Sequence, residues 1–100
     1  MFFITCFSKC KKNENERFDT GYTRTFAYFD NLEICRRALH ENWCDMHEYL
    51  YEFAVVEYIE QGIHSHAKEM AWFRWDDEKE GFFEINKPEC TIHYSKYALG

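Results

Sequence analysis

Apolar and polar positions divide this chain into five extended runs and one helix. Residues 2–9 alternate loosely and are rich in Phe, Ile and Thr, which predicts a first strand at or near a sheet edge. A charged, Asn-containing connection runs from Lys9 to Glu16, and Thr20-Gly21 closes that turn region. Alternation resumes from Tyr22 to Phe29, with Tyr22, Arg24, Phe26 and Tyr28 on one face and Thr23, Thr25, Ala27 and Phe29 on the other. The period then changes. Leu32, Cys35 and Leu39, flanked by Ile34 and Ala38, make one apolar stripe at helical spacing, while Glu33, Arg36, Arg37 and His40 face water. Asp30 as N-cap, with Glu33 three residues on, has the capping-box spacing, so a helix is expected from Asn31 to about Glu41. Asn42 suits the left-handed residue that ends it.

Residues 43–50 admit two readings. Trp43, His47, Leu50, Ala54 and Tyr58 can share one helical face, which would carry the helix onward. The β-branched pair Val55-Val56 and Ile59 instead argue for a strand over Phe53–Ile59, and Asn42 for a break. A short helical turn at Asp45–Glu48 followed by that strand is the preferred reading. Beyond Gly62, Lys68 to Trp75 forms a strand with Met70, Trp72 and Arg74 on one face and Ala71, Phe73 and Trp75 on the other. Residues 76–81 make a polar hairpin loop, Gly81 to Asn86 returns as a strand, and Pro88 stops it. Cys90 to Gly100 adds a short strand or a covering tail, with Ile92, Tyr94, Tyr97 and Leu99 available for packing. The order β-β-α-β-β-β implies one α+β domain over residues 1–100: an antiparallel, meandering sheet of about five strands with the helix on one face. No repeat, low-complexity tract or linker interrupts it.

Composition sharpens this picture. Twenty of the hundred residues are aromatic, more than a core this small comfortably buries, which points to an exposed aromatic surface and to a homo-oligomer. A net charge of −6, from 18 acidic and 12 basic residues, repels a phosphate backbone and disfavours long nucleic acid, though one or two arginines with an aromatic platform suffice for a single nucleotide. Five cysteines show no paired framework, and the apolar start Met1 to Phe7 lacks a basic flank before it and is too short to span a bilayer. A reduced, cytoplasmic protein without a membrane partner is the expectation.

Candidate chemistry is scattered. Cys6-x3-Cys10, Cys44-x-x-His47 and His64-x-His66 supply metal-ligand types, but none has the spacing of a zinc knuckle or ribbon, and no metal or cofactor is expected. Cys44, Asp45 and His47 crowd within four residues, whereas working triads converge from separate elements, so no catalytic residue and no enzyme activity is expected. Glu57 with Glu60, and Asp76 with Asp77, are more simply solvated or turn residues. Four glycines cannot build a phosphate loop. The remaining constellation joins aromatics to arginine: Tyr22, Arg24, Trp72, Arg74, Trp75 and Phe82. A base stacks on such rings for about 1–3 kcal/mol and a guanidinium grips a phosphate bidentately. The same residues can equally cover the sheet as packed aromatics and cation–π pairs.

The run FDNLEICRRALHENWCDMHEYLYEFAVVEYIEQGIH, with AWFRWDDEKEGFFEINKP and the terminal YALG, resembles small proteins of phages and prophages of Firmicutes. Shared features are the start Phe29-Asp-Asn-Leu-Glu33, the N-x-x-D-x-x-E turn from Asn42 through Asp45 to Glu48, the strand Tyr51 to Glu57, and Trp72 to Trp75. The likeness covers about residues 24–100. Some similar phage proteins are anti-defence sponges, of the anti-Thoeris and anti-CBASS kind, that bind cyclic nucleotide signals without cleaving them and form oligomers. What the resemblance implies is a phage protein acting in the host cytoplasm by sequestering a small nucleotide. The alternative is an inhibitor of a host defence factor that works through an aromatic and acidic surface.

Overall fold

A strand rich in β-branched residues, buried on both sides, is expected at the middle of a sheet, and Phe53–Ile59 occupies that place. The computed structural model describes residues 1–12, 18–60 and 67–88. In chain order these form β1 (Phe2–Phe7), β2 (Lys11–Lys12), β3 (Phe18–Asp19), β4 (Thr23–Phe29), α1 (Leu32–His40), a 3-10 turn (Trp43–Asp45), β5 (Phe53–Ile59), β6 (Ala67–Asp76) and β7 (Gly81–Ile85). Five strands make an antiparallel sheet in the order β4-β1-β5-β6-β7, and β2 and β3 pair separately as a short ribbon. With α1 packed against β1, β4 and β7, the fold is α+β. Residues 90–100 and the His64-x-His66 pair lie outside the described residues.

Only the last three strands run as a meander. β1 lies near the edge of the sheet but not at it, because it pairs with the edge strand β4 on one side and β5 on the other. Ile4, Thr5, Cys6 and Phe7 are all buried, which takes cover on both faces and a neighbour on both edges. Ile4 and Cys6 belong to the main core with Cys35, Ala38 and Leu39 of the helix and Val56, Phe73 and Phe82 of the sheet. Phe7, Val55 and Trp72 form a smaller cluster on the reverse face, flanked by Phe53 and Ile85.

Two bulges change the faces expected from simple alternation. Opposite Ile4 and Thr5 of β1, strand β4 carries an extra residue, Phe26. Arg24 and Phe26 therefore both lie on the helix side, with the guanidinium 4.7 Å above the ring, whereas Tyr28 moves to the reverse face beside Phe3 at 5.5 Å. In β6 the extra residue is Met70, so Trp72 and Arg74 share the reverse face without it. Ala71, Phe73 and Trp75 point to the helix side, as alternation predicts.

The helix begins one step later than the capping-box reading. Asn31, in extended backbone, is the N-cap: the Glu33 and Ile34 N–H groups donate to its Oδ1 at 2.7 and 3.3 Å. Asp30 is not the cap, and Glu33 pairs with Arg36. Asn42 closes the helix at φ 52°. The chain then makes the 3-10 turn and a run of turns before β5, so the continuous-helix alternative does not hold. The turn falls at Trp43–Asp45, slightly ahead of the expected Asp45–Glu48. Among the described residues no helix is long and apolar enough to cross a membrane.

At the start of β7, Gly81 lies against the end of the helix, where an added Cβ would collide with the His40 carbonyl oxygen. Because that neighbour is backbone in a packed helix, relief requires the helix to shift. Gly81→Ala is expected to destabilise the fold by about 1–3 kcal/mol, read as a lowered urea midpoint at unchanged slope.

Candidate binding cleft

The six aromatic and arginine residues divide between the two faces of the sheet. Trp72 is only 3% exposed, stacked on Phe7 at 5.8 Å. Arg74, next on that reverse face, is exposed: its Nη2 donates to Glu52 Oε1 at 3.0 Å and its guanidinium sits 5.3 Å over Phe53. Trp75 and Phe82 meet edge to face at 5.2 Å on the helix side, and Phe82 is fully buried. Arg24 stands on β4, separated from β6 by β1 and β5, or about 14 Å at ordinary strand spacing. Its Nη1 reaches Glu48 Oε1 at 3.5 Å. Tyr22 is 71% exposed just before β4, where its N–H donates to Ser8 Oγ at 2.8 Å. The structure thus puts Trp72 and Arg74 on one face and brings Trp75 against Phe82 on the other. Buried as they are, neither Trp72 nor Phe82 offers an open face for stacking a base.

A cleft of about 370 Å³ lies elsewhere, between the segment after α1 and the turn joining β6 to β7. Glu41, Asp45, Asp77 and Glu80 stand around it, with Asn42, His47, Tyr49 and Trp75. Asn42 builds the first wall. Its Oδ1 accepts the His47 N–H at 2.9 Å, and its Nδ2 donates to Asp45 Oδ1 at 3.1 Å. The Leu50 and Tyr51 N–H groups both donate to the His47 carbonyl at 2.9 Å, which fixes the exit towards β5. This tight path puts Cys44, Asp45, Glu48 and Tyr49 in the left-handed region, with φ between 48° and 55°. Each such residue costs on the order of 1 kcal/mol, sustained only where the surroundings determine the backbone.

Strand β6 supplies the floor. The Trp75 N–H donates to the Glu52 carbonyl at 2.8 Å, and its indole Nε1 donates to Asp77 Oδ1 at 2.8 Å. The His47 imidazole lies parallel to the indole, 3.7 Å away at 8°. On the far wall the Asp76 carboxylate accepts the Glu78 and Lys79 N–H groups and holds the turn. Glu41 accepts from Trp43 Nε1 at 3.0 Å and pairs with Arg37 at 3.5 Å, and these two contacts hold its carboxyl below the usual range. Among the described residues, Asp45, Asp77 and Glu80 have no ion-pair partner, and no lysine or arginine lines the cleft.

Of these groups, sequence reasoning had placed only Trp75 in a site. The partner that defines its role, His47, is distant along the chain, and nothing in local spacing links them. Among the described residues no three His, Cys, Asp or Glu side chains come close enough together to hold a metal ion. Cys44 is exposed on the 3-10 turn, while burial pushes the Cys35 thiol up to about 11 and the Cys6 thiol higher still, so neither buried thiol is a ready nucleophile. Comparison of this chain with protein-family models, curated proteins and solved structures finds no match.

Burial holds the His47 imidazole below its ordinary value of 6.5, against the opposing pull of Asp77 and Asp45. Between its folded and unfolded values the unfolded chain binds more protons, so stability rises with pH there. The contribution is complete above about pH 6.5 and is lost as pH falls through the folded value. Urea midpoints compared between the wild type and His47→Gln, from about pH 5 to 8, are expected to show this slope in the wild type and a flatter one in the variant. Equal slopes would show that His47 does not carry it.

Proposed function

We propose that this chain is a non-catalytic binding protein that inhibits another protein through its aromatic and acidic surface. The resemblance to small phage proteins supports a host defence factor as the target. The observation that carries this reading is the cleft, where three carboxylates with no counter-ion among the described residues stand around the stacked His47 and Trp75 rings. Such a site attracts a cationic group and repels a phosphate, and the net charge of −6 extends the same preference over the molecule.

Sequestration of a cyclic nucleotide is the second reading, and Arg74 favours it. Its guanidinium is exposed beside Phe53, on the face that also carries Trp72. A phosphate gripped there must displace Glu52, and each of the other described arginines, Arg24, Arg36 and Arg37, is also held by a carboxylate.

The two readings separate in cells that carry a nucleotide-signalling defence. Expression of the chain is expected to block the defence while the free signal nucleotide stays at its normal level, and the double variant Asp77→Asn, Glu80→Gln is expected to lose the block. Intact nucleotide released from the heat-denatured protein, with uptake abolished in Arg74→Ala, would instead establish sequestration. Chemically altered nucleotide would establish an enzyme.

A further inference from the structure

Resting on the protein-binding reading, we infer that the cleft receives the guanidinium of an arginine in a basic segment of the partner, with Tyr49 and Leu50 covering the apolar residues beside it. Three properties of the cleft converge on that group. Its carboxylates stand apart around the rim, too dispersed among the described residues to hold a metal ion. A planar cation with five N–H donors reaches several acceptors at once. The His47 imidazole stacks face to face on the Trp75 indole, and a guanidinium stacks on the outer face of such a pair where a compact ammonium gains less. His47, with burial favouring its neutral form, presents that surface without a competing positive charge at neutral pH.

The rim is an independent observation. Tyr49 is 93% exposed and Leu50 is 42% exposed, side by side where the loop turns towards β5. Tyr49 lines the cleft as well as projecting from it, with its ring 5.6 Å from that of His47. Tyrosines displayed in this way, next to a charged pocket, are typical anchors of protein interfaces. Charge complementarity decides the occupant. All four described arginines are engaged in ion pairs within the chain, and no described arginine or lysine lines the cleft to match Asp45, Asp77 and Glu80.

The test uses three capped peptides, each with leucines flanking a central arginine, lysine or citrulline, the last a neutral isostere of arginine. Binding to the full chain is followed by calorimetry and by the indole N–H resonance of Trp75. The arginine peptide is expected to bind and to shift that resonance, the lysine peptide to bind several-fold more weakly, and the citrulline peptide not to bind. Asp77→Asn with Glu80→Gln is expected to weaken the arginine peptide about tenfold while leaving the thermal midpoint in place. Tyr49→Ala is expected to weaken it too.

Equal binding of all three peptides, binding that spares the Trp75 resonance, or no binding of the arginine peptide would overturn the inference. Its failure remains distinct from that of the protein-binding reading. If the arginine peptide does not bind but the double variant still abolishes the block on defence, the surface binds a protein and only the guanidinium assignment falls. If the arginine peptide binds and the block is independent of both carboxylates, the cleft is assigned correctly and the inhibitory reading falls.

Discussion

The two-sided pairing of β1 is the constraint on which the rest of the molecule depends. With β4 on one edge and β5 on the other, its backbone polar groups find partners within the sheet, and both its faces can be buried. Ile4 and Cys6 anchor the main core while Thr5 and Phe7 fill the reverse face. A slip of one residue would exchange those sets and mispack both cores, so a single register serves two layers at once. Insertion of β1 between its neighbours also settles the route of the chain. Having formed β4 on one side, the chain must cross to the other side of β1, and α1 lies along that crossing against the helix-side core.

The cleft follows from where that crossing ends. Asn42 stops the helix, gathers Asp45 and His47 with its side chain, and directs the chain towards β5. Glu52, just before β5, then accepts the Trp75 N–H, tying the first wall of the cleft to the strand that supplies its floor. A polar loop held by side-chain hydrogen bonds thus meets an aromatic that the core has already oriented. The backbone strain of the loop is confined to this junction and Glu80, apart from Gly21, among the described residues.

Much of this was legible along the chain because five strands and one helix differ in period. Residues 53–59 were readable from Val55, Val56 and Ile59, and the helix from Leu32, Cys35 and Leu39. What stayed hidden has specific causes. Neighbours in a sheet are a non-local property, so nothing within residues 2–9 states that β1 lies inside. A bulge adds one residue without a mark in composition, and it moved Tyr28 away from Arg24 and Phe26. Asp30 and Asn31 are equally competent caps, and only the backbone angles choose Asn31. The candidate residues suffered most, because aromatic type reports neither burial nor face. Trp72 and Phe82 went to opposite cores, and Trp75 found His47, a residue with no sequence signal towards it.

The bulge at Phe26 bears on whether so aromatic a chain can pair edge to edge with another copy. Among the described strands β4 terminates the sheet, and its sequence TRTFAYF is β-prone with one charge, the kind of edge that templates strand addition between molecules. The extra residue twists the strand and puts its outward N–H and C=O groups out of step, so an incoming straight strand cannot zip along all of it. Protection here is geometric, achieved by breaking periodicity instead of adding charge. An ordered assembly that uses this end of the sheet would then rest on side chains, where contact can saturate, and not on an open-ended ladder of backbone hydrogen bonds along β4.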